Sequence, residues 1–127
     1  MNVEQIEDSF KPTADKKCAV AKNGMVATAF PDATKAGVEM LKKGGNAVDA
    51  ACASALALGV CEPQASGIGG QSMAIIHVDG KTLAVDGSSR APSLAHISFF
   101  KKKSLSRLGY KASTVPSTVA TMGYLNE

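Results

Sequence analysis

Nucleophilic catalysis needs an activated Ser, Cys or Thr with a base within reach, so the residues able to form such a pair come first. The 127-residue chain holds two histidines, His77 and His96, and three cysteines, Cys18, Cys52 and Cys61. Neither histidine stands at ligand spacing from the other or from a cysteine, so no metal site is expected. No Gly-x-Ser-x-Gly elbow occurs. Removal of Met1 exposes Asn2, which has no nucleophilic oxygen or sulfur to attack with. Gly67-Ile68-Gly69-Gly70 suggests a phosphate cradle, but these glycines follow a helical pattern and precede a strand. No helix N-terminus then waits to receive a phosphate, and no nucleotide or other cofactor is expected. The glycines read instead as close backbone approach at the start of a strand. No complete catalytic constellation emerges from the residues alone.

Lys101-Lys102-Lys103, with Arg107 and Lys111, lies beside Phe99 and Phe100. Such lysines near a helix C-terminus ordinarily form a solvated face that complements the helix dipole. The net charge is +3, aromatic residues make up 5% of the chain and Trp is absent. That profile argues against nucleic acid as a partner. Three cysteines without a C-x-x-C pair cannot close a complete intramolecular framework, and a reduced, cytoplasmic setting is expected. The polar start has no apolar segment of a secretory signal. The longest apolar run, Ala50 to Val60, is too short to span a bilayer, so no membrane association is expected.

These residues must be positioned by a small set of elements. Residues 1–23 read as a polar N-terminal arm, and residues 24–127 as the folded portion. Gly24–Phe30 has the β-branched, apolar character of a short strand. Ala33, Ala36, Gly37, Met40 and Leu41 recur at helical spacing after Asp32, a predicted N-cap, and Gly44-Gly45 ends that helix. Asn46 is predicted to cap a second helix, Ala47 to about Val60, built of small residues and packed on more than one side. Asp49, in its first turn, suits the positive end of the dipole or a free backbone N–H. Asp79-Gly80 is a two-residue hairpin turn between Ser72–Val78 and Lys81–Asp86. That register sets Ile76 against Leu83, Ala74 against Val85 and His77 against Thr82. The nearly continuous apolar strand SMAIIHV predicts cover on both faces. A third helix is expected over Ile97–Leu108, and a last one after Pro116 that reaches Glu127 without a C-cap. With 45% hydrophobic residues the chain resembles one domain. Its small-residue helix and two-faced strand nevertheless expect further layers of a larger fold.

The ordered motifs AKNGMVAT, KKGGNAVDAA, EPQASGIGG, RAP, GYKAS and VP resemble the N-terminal region of the large subunit of γ-glutamyltransferases (γ-glutamyltranspeptidases). The likeness runs from about Ala21 to Tyr124. It implies an α+β fold, part of the four-layer αββα sandwich of N-terminal nucleophile hydrolases. It further implies a precursor that cuts itself into large and small subunits. The new N-terminal threonine of the small subunit then attacks a γ-glutamyl amide, as in glutathione breakdown. The Thr-Thr-His segment that typically begins that subunit is absent from this sequence. A complementing small-subunit-like chain is therefore the implied partner, and the isolated chain is expected to be inactive.

Two departures from the family pattern stand out. Where typical members read D-x-R-E-x-A-P, this chain reads Asp86-Gly87-Ser88-Ser89-Arg90-Ala91-Pro92. Ser88 holds the place of the arginine that meets the substrate carboxylate, and Arg90 follows two residues later. In extended backbone that shift preserves the facing side. The family's VPG-x-x-x-G reads Val115-Pro116-Ser117-Thr118-Val119-Ala120-Thr121, with both glycines replaced. A related acylase with another acyl donor stays open, as does a non-catalytic interaction module or remnant.

Overall fold

A proline fixes where the first helix begins. Pro31 has no N–H to leave unsatisfied and its φ is already helical, so it suits the first helical position. In the computed structural model, which describes residues 19–100 and 107–127, α1 (Pro31–Lys42) starts there with Phe30 as N-cap. Asp32, predicted as the cap, lies instead in the first turn. Thr28 stands in for a capping side chain at one remove. Its hydroxyl donates to the Phe30 carbonyl at 2.7 Å and lies 2.7 Å from the Thr34 hydroxyl. At the other end Gly45 N–H reaches the Met40 carbonyl and Gly44 N–H that of Leu41, the Schellman closure that Gly44-Gly45 predicts.

Asn46 caps α2 (Ala47–Cys61) through a reciprocal box. Its side-chain oxygen accepts from Val48 and Asp49 N–H at 2.7 and 3.0 Å, and Asp49 returns a bond to Asn46 N–H at 2.7 Å. Asp49 thus has the structural role its position suggested. The two helices pack against each other through small residues. Ala33, Gly37, Ala50 and Ser54 are buried, with Gly37 set against Ala50 and Ser54. At the closest approach a Cβ on Gly37 would overlap the Ser54 hydroxyl.

Gly24–Phe30, predicted as a strand, has no ladder partner among the described residues and is not one. Its β-branched residues face the helices instead: Val26 and Thr28 line a groove with Leu41, Ala50 and Ser54. A short helix, α3 (Pro63–Ser66), leads through the glycine loop into β1 (Ser72–Val78) and β2 (Lys81–Gly87). The antiparallel register is the predicted one, with Ile76 opposite Leu83, Ala74 opposite Val85 and His77 opposite Thr82. Asp79 and Gly80 both take positive φ, 51° and 73°, as a type I′ turn requires.

The expected cover on both faces of β1 is absent among the described residues. Ser72, Ala74 and Ile76 are half-buried, while Met73 and Ile75, on the other face, are 67% and 82% exposed. The last two predicted helices also differ from expectation where they are described. Ile97–Phe100 is a single 3-10 turn, and residues 101–106, which include the Lys101–Lys103 cluster, lie outside the described residues. Ile97 and Leu108 are both exposed. The final helix, α4 (Thr118–Leu125), ends in a C-cap at Asn126, whose N–H bonds the Gly123 carbonyl. It does not run on to Glu127. Its buried Thr118 and Thr121 meet β2 and α2, and Met122 accepts the Cys52 thiol at 3.7 Å. No described helix is long and apolar enough to cross a membrane.

Candidate substrate cleft

Ser88 and Arg90, the two predicted site residues, lie together in an open cleft of about 410 Å³. One wall is the end of β2 and the arm that follows it, Val85–Arg90. The other runs from Val115 along α4 to Tyr124. Three consecutive backbone donors of the arm are each committed to a protein acceptor. Ser88 N–H donates to Asp86 Oδ1 at 3.0 Å, Ser89 N–H to Gln71 Oε1 at 3.1 Å and Arg90 N–H to the Val115 carbonyl at 3.3 Å. Val115 N–H closes that bridge on the Arg90 carbonyl at 2.8 Å. With these N–H groups occupied, recognition of an anion at the arm falls to side chains. The Arg90 guanidinium, with its planar fork of donors, is the group suited to a carboxylate.

The Ser88 side chain is engaged within the arm itself. Its hydroxyl donates to Asp86 Oδ1 at 2.5 Å. The side-chain and backbone bonds from Ser88 hold the Asp86 carboxyl below the usual carboxylate range. Gln71, which sequence reasoning missed, buttresses the arm by accepting from both the N–H and the hydroxyl of Ser89. Its position at the end of the glycine loop was the available signal. The two residues standing where the family pattern has glycine also belong here. Ser117 donates its hydroxyl to the Gly87 carbonyl, and Thr121 packs directly against Gly87.

The remaining reactive side chains do not converge on this cleft. Burial, with the negative charge of Asp49 adding to it, pushes the Cys52 thiol up, the opposite of an activated nucleophile. His77 is bonded to the Thr82 hydroxyl at 2.8 Å and His96 to the Ser98 hydroxyl at 2.9 Å. Lys111 stacks over Phe99, with its ammonium 5.5 Å from the ring centre.

Helices on an antiparallel hairpin, together with the likeness to solved gamma-glutamyltranspeptidase structures, make this an α+β portion of an N-terminal nucleophile hydrolase sandwich. The gamma-glutamyltranspeptidase family model matches residues 33–127, and the chain belongs to that family. A glutathione hydrolase proenzyme of Pseudomonas sp. strain A14 is 43% identical over 114 residues, 84% of this chain and 20% of that protein. An acylase ACY 1 proenzyme of Pseudomonas sp. strain V22 is 45% identical over 84 residues, 65% of this chain and 15% of that protein. The crystal structure of Helicobacter pylori gamma-glutamyltranspeptidase superimposes with a TM-score of 0.79 at 38% identity, over 85% of this chain and 33% of that one. The chain spans about a fifth of the length of the first of these relatives.

Proposed function

We propose that the chain supplies part of an enzyme that transfers or hydrolyses γ-glutamyl groups, and that Arg90 receives the free carboxylate of the donor. The observation that carries this reading is the pinning of Arg90 to Val115 at the rim of the cleft. The bridge fixes the Arg90 backbone at the rim, and the planar guanidinium offers two parallel N–H bonds to a carboxylate. Ser88, occupied by Asp86, contributes by shaping the turn. The acyl-transfer step belongs to an N-terminal threonine on a complementing small-subunit-like chain. Its α-amine takes the hydroxyl proton as the oxygen attacks the γ-amide carbonyl. The amine leaves with that proton, and water, an amino acid or a peptide then takes the acyl group. The unpaired Cys52 and Cys61 support a reduced, cytoplasmic setting for this chain.

The test is release of anilide from a γ-glutamyl anilide. The isolated chain is expected to give none, and the chain mixed with its complementing subunit to give turnover. Arg90→Gln in the mixture is expected to lower kcat/KM by roughly tenfold to a hundredfold, the worth of a lost charged hydrogen-bond pair. Turnover by the isolated chain, or an unchanged Arg90→Gln variant, overturns the reading. A second reading, an acylase with another donor, is favoured by Ser88 at the arginine position and by the likeness to an acylase proenzyme. Faster cleavage of an acyl anilide lacking the α-amino and α-carboxyl groups selects it.

A further inference from the structure

Ser117 is the N-cap of α4, yet its side chain makes no capping bond to its own helix. The hydroxyl is turned across the cleft floor and donates to the Gly87 carbonyl. A serine in that position ordinarily accepts from a free N–H of the first turn, so the helix forgoes its cap to hold the arm. Thr121, one turn on, donates to the Ser117 carbonyl at 2.9 Å, which fixes its rotamer. Its side chain then occupies the space above Gly87, where any Cβ would overlap Thr121 Oγ1. Gly87 is buried and immediately precedes Ser88, Ser89 and Arg90. Ser117 N–H is itself anchored on the Gly70 carbonyl at 3.0 Å, so the latch is tied to the glycine loop that leads into β1.

We propose that Ser117 and Thr121 are positioning residues that latch the arm at Gly87 and so fix the direction in which Arg90 faces the cleft. The arm is gripped at two points by one continuous segment: at Gly87 by Ser117 and Thr121, and at Arg90 by Val115. The side chains of Ser117 and Thr121 are thus both engaged, with a glycine, Gly87, at the place they grip. The functional consequence, a defined carboxylate position, rests on the reading of Arg90 above.

The experiment is amide hydrogen exchange and an NMR titration with L-glutamate on the full chain, comparing wild type, Ser117→Ala/Thr121→Gly, Ser117→Thr and Arg90→Gln. The latch predicts that the double variant exchanges the Ser89 and Arg90 amides about tenfold faster, with α1 and α2 amides unchanged. It predicts L-glutamate affinity lower by a similar factor. Ser117→Thr keeps the hydroxyl and is expected to retain wild-type exchange and affinity. Unchanged exchange at Ser89 and Arg90 in the double variant overturns the latch, whatever L-glutamate does. Faster exchange there, with wild-type and Arg90→Gln chains equally blind to L-glutamate, upholds the latch and overturns the carboxylate reading instead.

Discussion

Asp86 and Ser88 together close the turn from which the arm starts. The Ser88 hydroxyl folds back onto Asp86 at 2.5 Å. The short turn it closes sets the start of the arm that carries Arg90. Because Ser88 lowers the Asp86 pKa, the turn is stabilised by the ionised carboxylate. That contribution is present above the ordinary aspartate value, about 3.9, and is lost as the pH falls through the lower folded value. Ser88→Ala is expected to raise the Asp86 midpoint toward the ordinary value. A carboxyl-carbon NMR titration measures it, and an unmoved midpoint removes Ser88 as the cause. Cys52 makes the complementary case. Its thiol is raised by burial and by Asp49 and is bonded to the Met122 carbonyl, so it is expected to alkylate with iodoacetamide several-fold more slowly at pH 8 than the half-buried Cys61. Equal rates measured by mass spectrometry contradict that assignment.

The elements separate into those set by local chemistry and those set by contacts far along the chain. α2 belongs to the first group: Asn46 and Asp49 satisfy each other's backbone donors without help from elsewhere. Asn46→Ala is therefore expected to destabilise the fold by about 1 kcal/mol, read as a lower urea midpoint with an unchanged slope. A loss below a few tenths of that argues against the box. The hairpin and its register were legible for the same reason, since Asp79-Gly80 fixes the turn and the turn fixes every pair behind it. Gly24–Phe30 was misread because strand propensity describes a surface to pack on, not a guaranteed ladder partner. Of the helix expected over Ile97–Leu108, the described part Ile97–Phe100 is a 3-10 turn with Ile97 exposed. In the cleft, Ser88 and Arg90 came from the motif that the family resemblance supplies. Gln71, Ser117 and Thr121 were hidden because their partners lie 18 to 30 or more residues away, where no local pattern records a contact.

At the scale of the whole molecule the decisive feature is the kind of residue that is buried. The buried positions among the described residues are Ala33, Ala50, Cys52, Ser54, Thr118 and Thr121 with Gly37 and Gly87, and no large side chain is fully enclosed. Small residues give close backbone approach but little apolar area, so the core they form contributes modestly to stability. The large apolar side chains stand elsewhere: Met73 and Ile75 project from the face of β1 opposite the one packed toward α4. Each is worth on the order of 1.5–3 kcal/mol when removed from water. An exposed apolar hairpin face of this kind is suited to cover by a further layer. Without that layer the exposed face drives copies of the chain together. The isolated chain is therefore expected to sediment as concentration-dependent oligomers and to bind a hydrophobic dye. Met73→Lys/Ile75→Lys leaves the buried face Ser72, Ala74 and Ile76 untouched, so it is expected to shift the chain toward monomer with its far-ultraviolet spectrum unchanged. The same variant is expected to assemble poorly with the complementing subunit and to lose anilide release in the mixture, although neither residue touches the cleft. Full turnover by that mixture would show that the hairpin face lies outside the assembly.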